Sequence, residues 1–182
     1  MRLKLRYWDD PILRKRCEPI REVTEEIKQL ARDLIETVDK GNGVGLSAPQ
    51  VGYSLRLFIL RDYILTEDGR WAMGEPKVYI NPKLSSPGTN FLVEAEGCLS
   101  FPGLRVNVAR PDSITVDALD INGQPFHEEI IGVDEVSAHN ARVRMHENDH
   151  INGVLFIDRA DINTRRKIEP ALREIKKKYR PQ

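Results

Sequence analysis

The stretch RMHENDHING, residues 144–153, carries two histidines four positions apart and a glutamate directly after the first of them. In an α-helix, residues four apart lie on one face about a turn apart, so His146 and His150 can bind the same metal ion. Glu147 then stands next to the ion, where a glutamate can act as a general base. A protein metal site needs at least one further ligand, and that ligand must come from outside this stretch.

The third ligand can be sought downstream or upstream of the two histidines. Downstream, the pattern HExxHxxGxxH fails because Phe156 stands where its third histidine is required. Glu169 or Glu174 would make a zincin-type metallopeptidase, but both lie in a basic segment. Upstream, Cys98 follows a strand-like run, and a Cys-His-His set leaves the fourth position open for water, as catalytic sites do. A lone cysteine is more commonly a buried apolar residue, so the residues alone favour Cys98 without closing the question.

Three segments have the apolar spacing of helices. The first can be capped by Thr24 and can end at Gly41 or Gly43. The second runs from about Asp134 to Ile151 and carries the two histidines. The third is a basic segment over about residues 165–182, either docked on the protein through one apolar stripe or frayed.

Short apolar and alternating runs fill residues 55–131 and predict a mostly antiparallel sheet system. Asn122-Gly123 is a good hairpin turn between two of these runs, and the polar segment TEDGRWAMGEP (residues 66–76) predicts a surface loop. The predicted fold is α+β, with antiparallel β-sheets packed around a central metal-binding helix that carries HExxH, and with an N-terminal and a C-terminal helix. We expect a single domain over residues 1–182.

The composition is that of an ordinary globular protein. Lys plus Arg and Asp plus Glu both total 28, so global charge favours no particular partner, and neither DNA nor a membrane is expected. The first residues contain no apolar run and indicate no signal or transit peptide, and no segment approaches a membrane span. Two cysteines, Cys17 and Cys98, suit a reducing compartment. We therefore expect a cytoplasmic protein of bacterial type.

Three motifs together resemble the signature motifs of the peptide deformylases in order and spacing. They are GVGLSAPQ (residues 43–50), EGCLS (96–100) and HENDH (146–150). The likeness extends from DPILRKRCEPI near the start through GVLFIDR at residues 153–159. Each motif alone is moderate evidence, whereas the set of three is specific.

The resemblance implies a metal-dependent hydrolase that removes the N-formyl group from formyl-methionyl nascent chains and releases formate. It implies one divalent ion per chain, which is ferrous iron in many members and is replaceable by nickel, cobalt or, less productively, zinc. By the resemblance, the metal ligands are Cys98, His146 and His150, the general base and then acid is Glu147, and the oxyanion donors are the Gln50 amide and the Leu99 backbone N–H.

The resemblance also implies a substrate site around the metal. Gly43 and Gly45 permit close approach of the backbone, as an extended peptide laid along an edge requires. The substrate-binding residues expected on this basis are Gly43, Val44, Gly45, Leu46, Gly97, His139, Arg142 and Val143.

Several residues depart from the family pattern. Ser47 stands where alanine is usual, and Met145 where glutamine is commoner; we expect both changes to be silent. His139 lies two turns before His146, at a position that is usually apolar and lines the pocket for the methionine side chain. It is either a polar residue at the pocket mouth or a residue that makes the pocket more polar and alters substrate preference. Asn140 and Arg144 also replace apolar residues, and we expect Arg144 to lie along a solvated edge with its charged end in water.

Two other functions compete with deformylation. A metallopeptidase would use a downstream carboxylate and leave Cys98 incidental. A non-catalytic module would hold a structural metal and bind RNA or the ribosome, near the exit tunnel, through the basic C-terminal segment. Eight of the sixteen residues from Arg165 to Arg180 are Lys or Arg against two Glu, although such a run is usually a solvated helix face. Ribosome binding through this segment is also compatible with deformylase activity.

The motif GVGLSA also matches the dinucleotide fingerprint GxGxxA. It follows a helix instead of a strand and runs into Pro49 instead of opening a helix, so the sequence context argues against a nucleotide site.

Overall fold

A computed structural model of the chain describes residues 1–85 and 87–179. The helices are α1 (Glu25–Lys40), α2 (Glu135–Ile151) and α3 (Ile162–Lys178). The strands are β1 (Gly45–Ser47), β2 (Leu57–Leu65), β3 (Trp71–Ser85), β4 (Phe91–Gly97), β5 (Arg105–Pro111), β6 (Ile114–Leu119) and β7 (Pro125–Ile130). Short 3₁₀ turns cover Pro11–Arg14, Ala48–Val51 and Phe156–Arg159.

The strands form two antiparallel sheets. Five of them pair in the order β1-β2-β3-β6-β7, and β4 pairs with β5. The turn at Asn122-Gly123 joins β6 to β7, where the Asp120 carboxylate accepts the N–H groups of Asn122 and Gln124 at 2.8 Å each. Gly123 has φ +77°, a conformation that glycine adopts without strain. The predicted antiparallel sheets and this hairpin are confirmed.

The predicted surface loop at residues 66–76 is wrong from Trp71 onward. Leu65 pairs with Trp71, so β2 and β3 form a hairpin whose turn covers only the residues between them. The first part of β3 is exposed on one face and half-buried on the other. Polar residues and a glycine are tolerated on such a strand, and this composition is also that of a loop.

Helix α2 lies at the centre, between the two sheets. It contacts β1, β2, β3 and β7 of the larger sheet and β5 of the smaller one. The helix begins after Asp134, whose carboxylate accepts the Ser137 N–H at 2.8 Å. Because both sheets cover it, its buried residues include charged side chains as well as apolar ones. The central helix of the predicted fold is therefore confirmed, with the predicted bounds.

Helix α1 covers the far side of the larger sheet. Leu34 and Val38 are fully buried and belong to the same apolar cluster as Leu46, Leu57 and Ile59 of β1 and β2. Each such side chain contributes about 1.5–3 kcal/mol through removal of apolar surface from water. This packing holds β1, which lies between α1 and α2, in place.

The C-terminal helix α3 is docked. Ile168 and Ile175 are buried, and the Asp161 carboxylate caps the first turn by accepting the Asn163 and Thr164 N–H groups. The helix starts three residues earlier than predicted, and Pro170 lies in its interior. Residues 180–182 of the predicted segment lie outside the described residues. No helix in the described ranges is long and apolar enough to cross a membrane.

Arg144 is buried, contrary to the expected position along a solvated edge. Its side chain is 1% exposed and makes ion pairs with Asp62 of β2 and Glu128 of β7. The guanidinium also lies 5.5 Å from the centre of the Tyr79 ring. The expectation failed because the face of α2 that points away from the metal is covered by the larger sheet, and this sheet supplies the carboxylates.

We expect Arg144→Met to lower the free energy of unfolding by about 2–3 kcal/mol, since it leaves two partly buried carboxylates with one cation fewer. Lys77 also pairs with both Asp62 and Glu128, and this remaining cation reduces the loss of unfolding free energy. Urea unfolding measures the change. The matched control is Arg173→Met, which removes an ion pair from a side chain that is 75% exposed and should leave the midpoint unchanged. Equal midpoints for the two variants would contradict the prediction.

Candidate metal centre

Three parts of the chain meet at one end of α2. The helix supplies His146, Glu147 and His150, and the turn after β4 supplies Cys98. This turn is closed by a hydrogen bond from the Phe101 N–H to the Cys98 carbonyl, at 2.9 Å. The third part is β1 with the 3₁₀ turn that follows it, and this part includes Ser47 and Gln50.

One donor atom from each of Cys98, His146 and His150 lies within 4.8 Å of the other two. The Cys98 Sγ is 3.3 Å from the His150 Nε2. Donors about 2.0–2.3 Å from a tetrahedral ion are about 3.3–3.7 Å apart, so this spacing fits a single ion. Among the described residues, no other group of three His, Cys, Asp or Glu side chains meets the same criterion.

His146 is held in a defined orientation by Glu96. Its Nδ1 lies 2.9 Å from Glu96 Oε2, which directs Nε2 toward the other two donors. Burial would raise the pKa of Glu96, but hydrogen bonds from Arg110 and His146 outweigh it and hold this pKa well below its usual range. The ionised Glu96 is an outer partner of the kind that metal-binding histidines have.

The charges around the three donors favour a cation. Burial would lower the pKa of His146, yet hydrogen bonds to Cys98 and Glu96 raise it to about 10. A raised pKa means that the ring readily holds a second proton, and a metal ion bound there would take the place of this proton. Burial lowers the pKa of His150 well below its ordinary value, which keeps the ring neutral, the form that binds metals. Its Nδ1 is buried and has no hydrogen-bond partner among the described residues. The donor set therefore fits a divalent metal ion.

Glu147 is buried beside the donor set. Burial raises the pKa of its carboxyl group, and one carboxyl oxygen lies 2.7 Å from the Ser47 hydroxyl. The other oxygen lies over Gly45, where an added Cβ would come within 2.7 Å of it. Glycine at position 45 is thus required by the approach of this carboxyl group. A buried carboxyl group next to a metal site has the environment of a general base.

Gln50 presents its amide to the same centre. The amide nitrogen lies 3.3 Å from Cys98 Sγ and 3.2 Å from Ser100 Oγ. The amide oxygen accepts the Ser47 N–H at 2.9 Å. Pro49 and the left-handed Gly52 fix the ends of the 3₁₀ turn that carries Gln50. The amide nitrogen of Gln50 therefore lies beside the three donors.

The segment of residues 43–46 lies beside the centre. A Cβ at Gly43 would come within 2.9 Å of the Leu99 side chain. The Val44 carbonyl accepts the Arg61 N–H at 2.9 Å, and Leu46 is fully buried in the apolar cluster. Leu46 can therefore contact a substrate only through its backbone, and the two glycines present backbone alone.

Arg142 connects α2 to the smaller sheet. Its guanidinium lies 2.7 Å from Glu96 Oε1 and 3.1 Å from Glu94 Oε2, and it donates to the carbonyls of Leu92 and Val108. Because it is buried and paired with Glu96, Arg142 holds the position of that carboxylate. Val143, the next residue, packs instead into the apolar cluster under the larger sheet.

His139 lies at the partly exposed end of this arrangement. Its side chain is 31% exposed, and its Nδ1 is 3.4 Å from Glu94 Oε2. Its ring packs edge-on against Tyr63 and Trp71, at centroid distances of 5.2 and 5.9 Å. Asn140, beside it, pairs through its amide with the Tyr63 N–H and carbonyl at 2.8 and 2.9 Å, next to the bulge in β2.

Sequence reasoning missed two residues of this site. Glu96 lies within the motif EGCLS, and its signal is the alternation along β4, which puts its side chain on the face toward α2, opposite its neighbours. Ser47 was expected to be silent, yet it contacts both Glu147 and Gln50. Its contact with Glu147 spans 100 residues of sequence, and nothing local signals such a contact.

The chain is similar to known peptide deformylases along most of its length. The family model for polypeptide deformylase matches residues 2–166. The peptide deformylase of Chlorobaculum parvum is 38% identical over 176 residues, which is 97% of this chain and 89% of that protein. The chloroplastic peptide deformylase 1B of Oryza sativa subsp. japonica is 36% identical over 177 residues, but the chain spans only 62% of its length.

The fold agrees with this relationship. The crystal structure of Arabidopsis thaliana peptide deformylase 1B in complex with an inhibitor superposes with a TM-score of 0.83 at 34% identity, covering 97% of this chain and 92% of that one. Nothing in these matches supports the metallopeptidase or the non-catalytic module. By sequence and by fold, the chain belongs to the polypeptide deformylase family of metal-dependent enzymes.

Proposed function

We propose that this chain removes the N-formyl group from the formyl-methionine of newly synthesised polypeptides and releases formate. The observation that carries the proposal is the convergence of Cys98, His146 and His150 with a buried Glu147 beside them. We further propose that residues 1–182 act as one catalytic domain in the cytoplasm of a bacterial-type cell.

The proposed cofactor is one divalent ion per chain, held by Cys98, His146 and His150. Ferrous iron is the ion that the family resemblance favours, with nickel, cobalt and zinc as substitutes. When bound, the ion supplies Lewis acidity that activates water near neutral pH and polarises the formyl oxygen. One sulfur and two imidazole ligands suit such an ion and leave a position open.

Glu147 is proposed as the general base and then the general acid. Its carboxylate accepts a proton from the attacking water and returns it to the amine that leaves. Such proton transfers are most efficient when the pKa of the group lies near the working pH. The burial of Glu147 moves its pKa in that direction, because it is raised from an acidic value.

Gln50 and Leu99 are proposed as the donors to the oxyanion. The Gln50 amide is neutral, so it stabilises developing negative charge without competing for the metal or for Glu147. Support comes from its amide nitrogen, which lies 3.3 Å from Cys98 Sγ. The Leu99 backbone N–H belongs to the residue directly after Cys98. Loss of one such donor commonly costs about 100-fold or more in kcat.

The substrate is proposed to lie as an extended peptide against the backbone of residues 43–46 and Gly97. His139 would contribute at the mouth of the pocket for the first side chain. Arg142 and Val143 would shape that pocket indirectly, since the first is buried in ion pairs with Glu94 and Glu96 and the second packs into the core. The proposed substrate class is N-formyl-methionyl nascent peptides.

His139→Leu should raise the preference for formyl-Met-Ala-Ser over formyl-Gln-Ala-Ser by about 5- to 10-fold in kcat/KM. The physical reason is that an apolar pocket wall favours the thioether side chain and offers nothing to an amide. The two peptides are compared in competition. His127→Leu is the matched control, because His127 is an exposed residue of β7. Unchanged selectivity in His139→Leu would mean that His139 does not influence the first side chain.

Ribosome association is proposed as a second property of the same enzyme, carried by the basic face of α3. Support comes from the charge of the segment, with eight Lys or Arg among sixteen residues. The docked helix turns Ile168 and Ile175 inward, which leaves most of its basic residues exposed. Electrostatic binding to RNA of this kind weakens steeply with salt.

The test of the proposed function is formate release from formyl-Met-Ala-Ser by protein purified and loaded with Fe²⁺ under anaerobic conditions. We expect one formate for each free amino terminus formed, and no turnover of acetyl-Met-Ala-Ser. Cleavage of the Met-Ala bond without formate release would identify a metallopeptidase instead.

A further inference from the structure

Ser47 lies between the two side chains to which we assign the proton transfer and the oxyanion contact. It is fully buried at the end of β1. Its hydroxyl oxygen is 2.7 Å from Glu147 Oε2 and 2.8 Å from Gln50 Oε1. Its backbone N–H donates to the same Gln50 oxygen at 2.9 Å. One residue thus contacts both side chains at hydrogen-bonding distance.

The contact with Ser47 decides which way the Gln50 amide points. A backbone N–H can only donate, so the atom it meets must be the amide oxygen. The amide nitrogen then faces Cys98 Sγ and Ser100 Oγ, at 3.3 and 3.2 Å. The opposite orientation would bring the amide nitrogen against the Ser47 N–H and leave donors facing donors. Ser47 therefore keeps the N–H groups of Gln50 on the metal side.

The hydroxyl of Ser47 also holds the carboxyl group of Glu147. Among the described residues, Ser47 is the only hydrogen-bond partner of the Glu147 side chain. The hydroxyl carries one hydrogen, so at any moment it donates to Glu147 or to Gln50, while the Ser47 N–H keeps Gln50 in place in either case. An alanine at this position retains the backbone contact and loses both hydroxyl contacts.

We propose that Ser47 is a positioning residue that fixes Glu147 and Gln50 relative to each other for the deformylation reaction. This inference rests on the proposed function of the same site. It corrects our expectation from the sequence that serine in place of alanine is silent. Because alanine preserves the backbone hydrogen bond to Gln50, the expected effect is moderate.

Ser47→Ala should lower kcat about 3- to 10-fold, the value of one or two hydrogen bonds, and should leave KM within about 2-fold. In a Gln50→Ala background, Ser47→Ala should lower the logarithm of kcat by at most about half as much as it does in the wild type. The reason is that one of the two side chains that Ser47 positions is absent. An unchanged kcat, or full additivity of the two substitutions, would overturn the proposal.

A second readout does not depend on turnover. In ¹⁵N-labelled protein loaded with Zn²⁺, the side-chain N–H groups of Gln50 should exchange with solvent about 3- to 10-fold faster after Ser47→Ala. Equal exchange rates would overturn the positioning of Gln50, even if the wild-type protein released no formate and the proposed function failed.

Thr37→Val is the matched control for loss of a buried hydroxyl. The Thr37 hydroxyl donates to the Asp33 carbonyl and accepts the Leu3 N–H, within and beside α1. This variant should lower the unfolding midpoint and leave both kcat and Gln50 exchange as in the wild type. A similar fall in kcat in both variants would show that Ser47 acts only through stability and would overturn the proposal.

Discussion

Glu147→Ala should lower the kcat for formate release to about 0.1% of the wild-type value while the protein keeps its metal. General acid–base catalysis contributes about 100- to 10,000-fold, and Glu147 is the buried carboxyl group beside the three donors. The substitution removes no metal ligand, so metal content should stay at one ion per chain. Formate release and metal content are measured on the same anaerobic sample.

Glu147→Gln is the closer control for shape, since it keeps a polar side chain within reach of the Ser47 hydroxyl. Glu147→Gln should be as inactive as Glu147→Ala, and its free energy of unfolding should be at least as large as that of Glu147→Ala. If either variant retained more than about a tenth of the wild-type kcat, Glu147 would not be the base, because general-base contributions are at least about 100-fold.

Cys98→Ala should weaken metal binding by more than about 100-fold, because even the loss of an outer partner of a ligand costs about 10- to 100-fold. Cys98 supplies the only sulfur among the three donors. Metal content after dialysis against a weak chelator measures the effect, and activity should fall in proportion to the metal lost.

Cys17→Ala is the matched control for Cys98→Ala. Cys17 is buried in a different apolar cluster, with Phe58 and Ile151, and is not among the three donors. The variant should keep its metal. Retention of metal in Cys98→Ala together with its loss in Glu169→Ala or Glu174→Ala would reverse the assignment and revive the metallopeptidase.

The helices and the hairpin were predictable because their signals are local. Leu34 and Val38 follow helical spacing in α1, and Asn122-Gly123 is a turn sequence in any context. The exposed first part of β3 was not predictable, since it pairs with β2 through its backbone while its side chains resemble those of a loop.

The charged face of α2 was not predictable for a different reason. Arg144 was expected to reach water because amphipathic reasoning assumes that one side of a helix is solvated. In this fold both sides are covered, and the partners of Arg144 come from positions 82 and 16 residues away. The polar side chain of Asn140 also has a partner from a distant strand. Its amide pairs with the backbone N–H and carbonyl of Tyr63, beside a bulge that the sequence does not reveal.

The convergence of the three candidate donors was predictable because each lies in a motif. His146 and His150 have helical spacing, and Cys98 was the better of the candidate third ligands. The residues that orient the donors were not predictable, because their roles depend on distant pairs. Glu96 meets His146 across 50 residues of sequence, and Ser47 meets Glu147 across 100.

The most direct test of the account is a titration of metal-free protein with Fe²⁺ under anaerobic conditions, with formate release from formyl-Met-Ala-Ser followed at each step. Activity should rise in proportion to added iron and reach its maximum at one ion per chain. Full occupancy of the site without formate release would contradict the assignment of Cys98, His146, His150 and Glu147 as a deformylase centre.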